Sequence, residues 1–152
     1  MRPKDTLGNG LRSEIGDMAA HGAVAFTDDG RGVQSAGMMR RVMDYAKMFN
    51  CVVMSHCQEE ELVGPGQVNE GVVSTRLGVA GWPGAGEELQ IQRDIALSEL
   101  TGCPIHIQHI TTARGVDIVR RSKIIFIQNN MMGRSLASHL DSTRLTSTYN
   151  TI

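Results

Sequence analysis

Gly22-Ala23-Val24-Ala25-Phe26-Thr27-Asp28-Asp29-Gly30 is the stretch on which the fold turns. A short apolar run ends on two carboxylates and a glycine, then passes through a polar loop into a segment with helical spacing. The pattern returns twice. Cys51-Val52-Val53-Met54-Ser55 ends on His56, and the run from Pro104 to Ile110 carries His109 next to its end. Repeated strand-then-helix order predicts a parallel sheet with right-handed crossovers. A barrel-type sheet would gather the three strand ends at one rim, where such folds place their chemistry. A carboxylate and two imidazoles meeting there, from Asp29, His56 and His109, form a candidate zinc site.

Working outward, Leu11, Ile15, Met18 and Ala19 suit a helix from Leu11 to His21 that Gly22 would end. Ser35 is placed to cap a helix to about Asn50, with Met39, Val42, Met43, Ala46 and Met48-Phe49 on or near its inner face. Glu87 to Thr101 reads as helical, with Leu89, Ile91, Ile95, Ala96 and Leu97 apolar and Gly102 as a stop. Thr111-Thr112 offers a cap for a helix holding Val116, Ile118 and Val119, and Ile124-Ile125-Phe126-Ile127 is a candidate fourth strand. The Gly-rich, polar stretch from Cys57 to Gly86 is too long for an ordinary strand-to-helix loop and is expected to form a surface excursion over the site.

The expected fold class is therefore α/β, a partial (β/α) TIM-type barrel with parallel strands and about three to four of eight βα units. A whole barrel needs roughly 250 residues, against 152 here. Residues 1–123 are read as the barrel domain. Residues 124–152, ending in a Ser- and Thr-rich tail from Arg134, are read as a divergent and weakly structured end.

Composition narrows the function. With 15 basic and 16 acidic residues and a formal net charge of −1, nothing suggests a surface for nucleic acid or acidic membranes. Cys51, Cys57 and Cys103 form no C-x-x-C pair and fit reduced thiols in the cytoplasm. The opening Met1-Arg2-Pro3-Lys4-Asp5 lacks the apolar run of a signal peptide, and no stretch is long enough to span a bilayer. Met38, Met39, Met43 and Met48 are read as helix packing rather than as a soft-metal site.

Each candidate also has a plainer reading. Asp28-Asp29-Gly30 alone would pass for a turn, and a single histidine at a strand end for a hydrogen-bonded structural residue. By strand alternation, His106 and His109 point to opposite faces, so with His109 inward His106 would face the helices. Cys57 likewise points away from the site and is read as structural. The glycines at 78, 81, 84 and 86 do not make a phosphate-binding motif, because no strand leads directly into them.

Gly22 to Gly30, then Ser55-His56-Cys57-Gln58-Glu59 and Asn69-Glu70-Gly71, follow one another as in the bacterial class I dihydroorotases, a family of the amidohydrolase superfamily. Gly86-Glu87, Arg93-Asp94-Ile95-Ala96-Leu97, Thr101-Gly102 and His106-Ile107-Gln108-His109-Ile110-Thr111-Thr112 continue the match, so the resemblance covers about Leu7 to Lys123. It implies metal ligation by Asp29, His56 and His109, with Asp28 the neighbouring alternative to Asp29, and one or two zinc ions in a complete site. Glu87 and Arg93 match a recurring acidic and basic pair, read as structural.

The chain also departs from the family. The His-x-His motif that opens the family's metal site, with its nearby Arg, would lie upstream of the sequence present, and the late catalytic Asp is missing. After Lys123 the expected strand leading to Pro-His-His is replaced by Ile124 to Met132, although His139-Leu140 and Tyr149-Asn150-Thr151 echo downstream family words. No residue of this chain is therefore assigned as catalytic.

The resemblance implies a zinc-dependent cyclic amide hydrolase that interconverts dihydroorotate and N-carbamoyl-aspartate in pyrimidine biosynthesis, using zinc to lower the pKa of a water to about 7. The isolated chain is expected to be inactive. A hydantoinase or allantoinase is the second reading, disfavoured because no lysine stands in the Asp28-Asp29 loop to be carbamylated. The third is a non-catalytic chain that packs against aspartate transcarbamoylase. Exposed barrel edges also favour a homo-oligomer.

Overall fold

The computed structural model describes the backbone of residues 14–133 and 145–149 and the side chains of residues 14–123. Leu11, His139 and most of the tail therefore lie outside the described residues. The elements run α1 (Ile15–Ala20), β1 (Ala25–Thr27), α2 (Ala36–Met48), β2 (Val52–Ser55), α3 (Glu60–Val63), β3 (Val68–Asn69), α4 (Val72–Leu77), β4 (Gly81–Trp82), α5 (Ala85–Thr101), β5 (Ile105–Ile110), α6 (Ala113–Gly133) and β6 (Leu145–Tyr149). β1, β2, β5 and β6 form one parallel sheet in that order, and β3 pairs with β4 in a small parallel ladder. This is an α/β partial barrel, as the alternation of strand and helix predicts.

Ser35 caps α2 by accepting the Met38 N–H at 3.3 Å, and Met39, Val42, Met43 and Ala46 recur at helical spacing on its buried face. Met48 and Phe49 do not follow them inward. Met48 is 74 % exposed, and Phe49 packs edge-on against Tyr45 with ring centroids 5.3 Å apart. α5 ends where expected, on Gly102 at φ +70°, a left-handed cap that a side chain would strain.

The sheet has two unlike faces. Register sets Phe26, Val53 and Ile105 side by side, and these join Met39, Met43, Ile91, Ile95 and Ile107 in the core under the helices. On the other face, Thr27, Met54 and His106 lie abreast and only half-buried, and the Thr27 hydroxyl donates to Gln108 Oε1 at 2.7 Å. This is the face that a complete barrel would enclose.

Two expectations change, and two segments gain detail. Ile124–Ile127 is not a strand: α6 continues through it to Gly133, since no turn residue after Lys123 interrupts the helix. The tail contributes β6, which pairs in parallel with β5. The excursion from Cys57 to Gly86 holds two short helices and the β3/β4 ladder. Its local bonds explain this: Glu59 accepts the Leu62 N–H at 2.7 Å, and Ser74 Oγ accepts the Gly71 N–H at 2.9 Å.

The second change concerns His106. It shares a face with Thr27 and Met54 rather than facing the helices, because β5 breaks its alternation. The register shifts between Ile107 and Ile110, and His109 takes a positive φ of 32°. A strand with this irregularity gains one residue on one side, so Ile110 returns to the core while His109 stays with the open face. Burial lowers the His106 pKa. Among the described residues, no helix is long and apolar enough to cross a membrane.

Candidate metal centre

The three side chains expected to meet do so at the C-terminal ends of β1, β2 and β5. His56 Nδ1 lies 3.0 Å from His109 Nε2, His109 Nε2 lies 3.2 Å from Asp29 Oδ1, and His56 Nδ1 lies 3.6 Å from the same carboxylate oxygen. The two rings cross at 73°, with centroids 4.8 Å apart. Bonds of about 2.0–2.1 Å in tetrahedral array place donor atoms roughly 3.3 Å apart. The observed triangle brackets that spacing, so these three donors suit a zinc-sized ion.

Asp29 is held for this role by what its neighbour does. Buried Asp28 accepts the His56 N–H at 2.8 Å through Oδ1 and the Val33 N–H at 2.7 Å through Oδ2, which binds the end of β1 to the end of β2. Burial raises its pKa. Asp28 thus turns from the cluster and leaves Asp29, which is exposed, beside the two rings. The hydrogen bond to His109 holds the Asp29 carboxyl below the usual carboxylate range.

His56 is oriented from its far side. Its Nε2 lies 2.9 Å from Gln58 Oε1. A neutral ring donating there keeps the Nδ1 lone pair for the cluster, the arrangement in which an outer partner fixes the tautomer of a metal-binding histidine. Gln58 was not singled out from sequence, although its place two residues after His56 on an extended segment is the signal that finds it.

The helix α5 anchors all three strand ends, through residues whose apolar pattern gave no hint of it. Glu87, Gln90 and Asp94 lie on its buried face. Asp94 Oδ2 accepts from Ser55 Oγ at 2.5 Å, immediately before His56. The Gln90 amide donates to the Val33 carbonyl at 3.4 Å, beside the loop that carries Asp29. Glu87 holds Thr111 and Thr112, just after His109. The expected Glu87–Arg93 pair is absent, because Arg93 donates instead to Asp94 Oδ1 and to the Gln34 carbonyl. Six residues along a helix point to different sides.

Cys57 stands outside the donor cluster. Its thiol is buried against Ser55 Oγ and Asp94, and burial pushes it well above the usual thiol range. A cavity of about 520 Å³ opens beside the cluster, lined by His56, His109, Thr111, Asn69, Val68 and Trp82 among others. Its size suits a small molecule. The excursion supplies one wall through β3 and β4, which places Asn69 at the rim.

Gly32 sits where the Asp29 loop meets β2. A Cβ there would lie 2.3 Å from the His56 carbonyl oxygen and 2.9 Å from Gln90 Nε2. Gly32→Ala must therefore push the loop from β2 and spread the donor triangle. A loss of about 1–3 kcal/mol in urea unfolding is expected, together with weaker zinc binding by titration. Parent-like values in both would show that this contact yields freely.

Comparisons with known proteins show the family. A family model described as dihydro-orotase-like matches residues 9–114. A dihydroorotase of Pelotomaculum thermopropionicum is 49 % identical over 111 residues, covering 73 % of this chain and 26 % of its own length. One from Ruminiclostridium cellulolyticum is 44 % identical over 125 residues, covering 80 % of this chain and 29 % of its own. The chain thus spans little more than a quarter of these relatives. Among solved structures, a D-hydantoinase (dihydropyrimidinase) from Thermus sp. aligns at TM-score 0.60 and 22 % identity over 76 % of this chain and 28 % of its own. An L-hydantoinase from Arthrobacter aurescens gives 0.60 and 19 % over 77 % and 29 %. At such identities they attest to the fold alone. With the family model matching more than half of the chain, and relatives above 40 % identity over some three quarters of it, the chain belongs to the dihydroorotase-like family.

Proposed function

We propose that the chain carries part of the metal site of a cytoplasmic, zinc-dependent dihydroorotase, a cyclic amide hydrolase that interconverts dihydroorotate and N-carbamoyl-aspartate in pyrimidine biosynthesis. The observation that carries this reading is the donor triangle of Asp29, His56 and His109, whose edges of 3.0, 3.2 and 3.6 Å fit one ion. Two imidazoles and a carboxylate are ordinary zinc ligands, and a bridging carboxylate also suits a second ion. When bound, zinc supplies Lewis acidity toward a carbonyl and makes water a better nucleophile.

The residues present do the remaining work that the geometry allows. Gln58 fixes the His56 tautomer, Asp28 locks the two strand ends together, and Asn69, Val68 and Trp82 wall the space in which a small cyclic amide would lie. Protonation of the leaving nitrogen requires an acid, and the late family Asp has no counterpart here. Turnover is therefore assigned to a fuller site than these 152 residues make. Residues 1–123 are the proposed barrel part and 124–152 its divergent end, with a second copy or aspartate transcarbamoylase as the proposed partner.

Metal analysis and a ring-opening assay on the purified chain test this reading together. Close to one zinc per chain after gel filtration, with no dihydroorotate turnover, is expected. A chain that takes up no zinc above background would overturn the metal site, and measurable turnover would overturn the assignment of an incomplete one.

A further inference from the structure

We propose that Glu87 is a positioning residue for the cluster: its carboxylate clamps the end of β5 so that His109 keeps the left-handed backbone conformation that turns its ring toward Asp29 and His56. His109 is one of two non-glycine residues with positive φ among the described residues. Positive φ is uncommon outside glycine, even for histidine, one of the residues that adopt it most often, and it persists where the surrounding structure holds it. Strict alternation would send its ring to the helix side with Ile105 and Ile107.

The support comes two residues later. The Thr111 N–H donates to both Glu87 oxygens, at 3.1 and 2.9 Å, and the Thr111 hydroxyl donates to Oε2 at 2.6 Å. Thr112 donates to Oε1 through its N–H at 3.0 Å and its hydroxyl at 2.8 Å. Five donor contacts on one buried carboxylate, close to the N-terminus of α6, form a strong and charge-assisted anchor. The fit admits little slack: a Cβ on Gly115 would lie 2.9 Å from Glu87 Oε1 and 2.9 Å from Ile110 Cγ2. Glu87 lines the cavity, yet both its oxygens are engaged with the loop. It acts through His109 rather than on a bound molecule.

The metal half of this inference rests on the proposed function, and the conformational half does not, so the test reads both. Glu87→Gln, made in the full chain, keeps the side-chain length but gives up one acceptor oxygen. In the metal-free protein, the NMR coupling between the amide and α protons of His109 is expected to rise to the value of extended strand. Affinity for cobalt(II), read from its visible spectrum, is expected to fall about tenfold to a hundredfold, the usual cost of disturbing an outer partner of a ligand. Ser35→Ala, which uncaps α2 far from this loop, lowers stability but leaves both readings unchanged.

Should Glu87→Gln fail to fold, Thr111→Val removes a single hydroxyl contact from the same carboxylate, and a weakening of about threefold to tenfold is expected. Parent-like coupling and affinity in whichever variant folds overturn the positioning role. If the parent takes up no cobalt while the His109 coupling still changes in Glu87→Gln, the metal reading falls and the clamp stands.

Discussion

His109→Ala is expected to weaken zinc binding by more than about a hundredfold, because the loss of an outer partner alone costs up to that much and here a proposed ligand itself is removed. Two donors, His56 Nδ1 and Asp29 Oδ1, would remain at 3.6 Å, enough to bridge an ion but not to enclose it on three sides. His56→Ala should do the same, and it also strands Gln58. Competition against a chromophoric chelator measures the loss. Cys57→Ser is the informative control. Its thiol is adjacent to His56 in sequence but turned into the core beside Asp94, so zinc affinity should stay within about twofold of the parent. A large loss in Cys57→Ser with little in His109→Ala would place the ion elsewhere.

The candidate cluster was legible because each of its three residues stands at the end of an apolar run, where a parallel sheet gathers its strand ends. The partial barrel was legible for the same reason, since each run was followed by helical spacing. What escaped was set by contacts that leave no periodic trace. The positive φ at His109 adds a residue to one side of β5, and period-two reasoning then puts His106 on the wrong face. The buried stripe of α5 is partly polar, through Glu87, Gln90 and Asp94, while Leu89 is 53 % exposed, so an apolar pattern points at the wrong residues. Ile124 to Ile127 is a run too short to show a period, and such runs serve helix and strand alike. Asp28 and Asp29 could be told apart only by the backbone N–H groups that claim Asp28, which no local pattern records.

Asp94→Ala is expected to be the most destabilising single change in the described core. The side chain has no exposed surface, and its carboxylate joins Ser55 Oγ at 2.5 Å and Arg93 Nε and Nη2 at 2.7 Å each. Burial raises its pKa while the Arg93 guanidinium beside it lowers it, so the ionised form depends on that pair. Truncation leaves a mostly buried guanidinium without its counter-ion, at about 3–5 kcal/mol for such a pair. Arg93 keeps its bond to the Gln34 carbonyl, which favours the lower figure, about 3 kcal/mol, or roughly 6–12 °C in Tm for a chain of this size. Arg40→Ala, which breaks the exposed Arg40–Asp44 pair on α2, should shift stability by less than about 0.5 kcal/mol. Replacing Arg93 and Asp94 together with Met and Leu should recover much of the loss, because the cost lies in an orphaned charge rather than in the pair itself. If Asp94→Ala and the double replacement melt alike, the loss belongs to the Ser55 bond, and Ser55→Ala alone should then reproduce it.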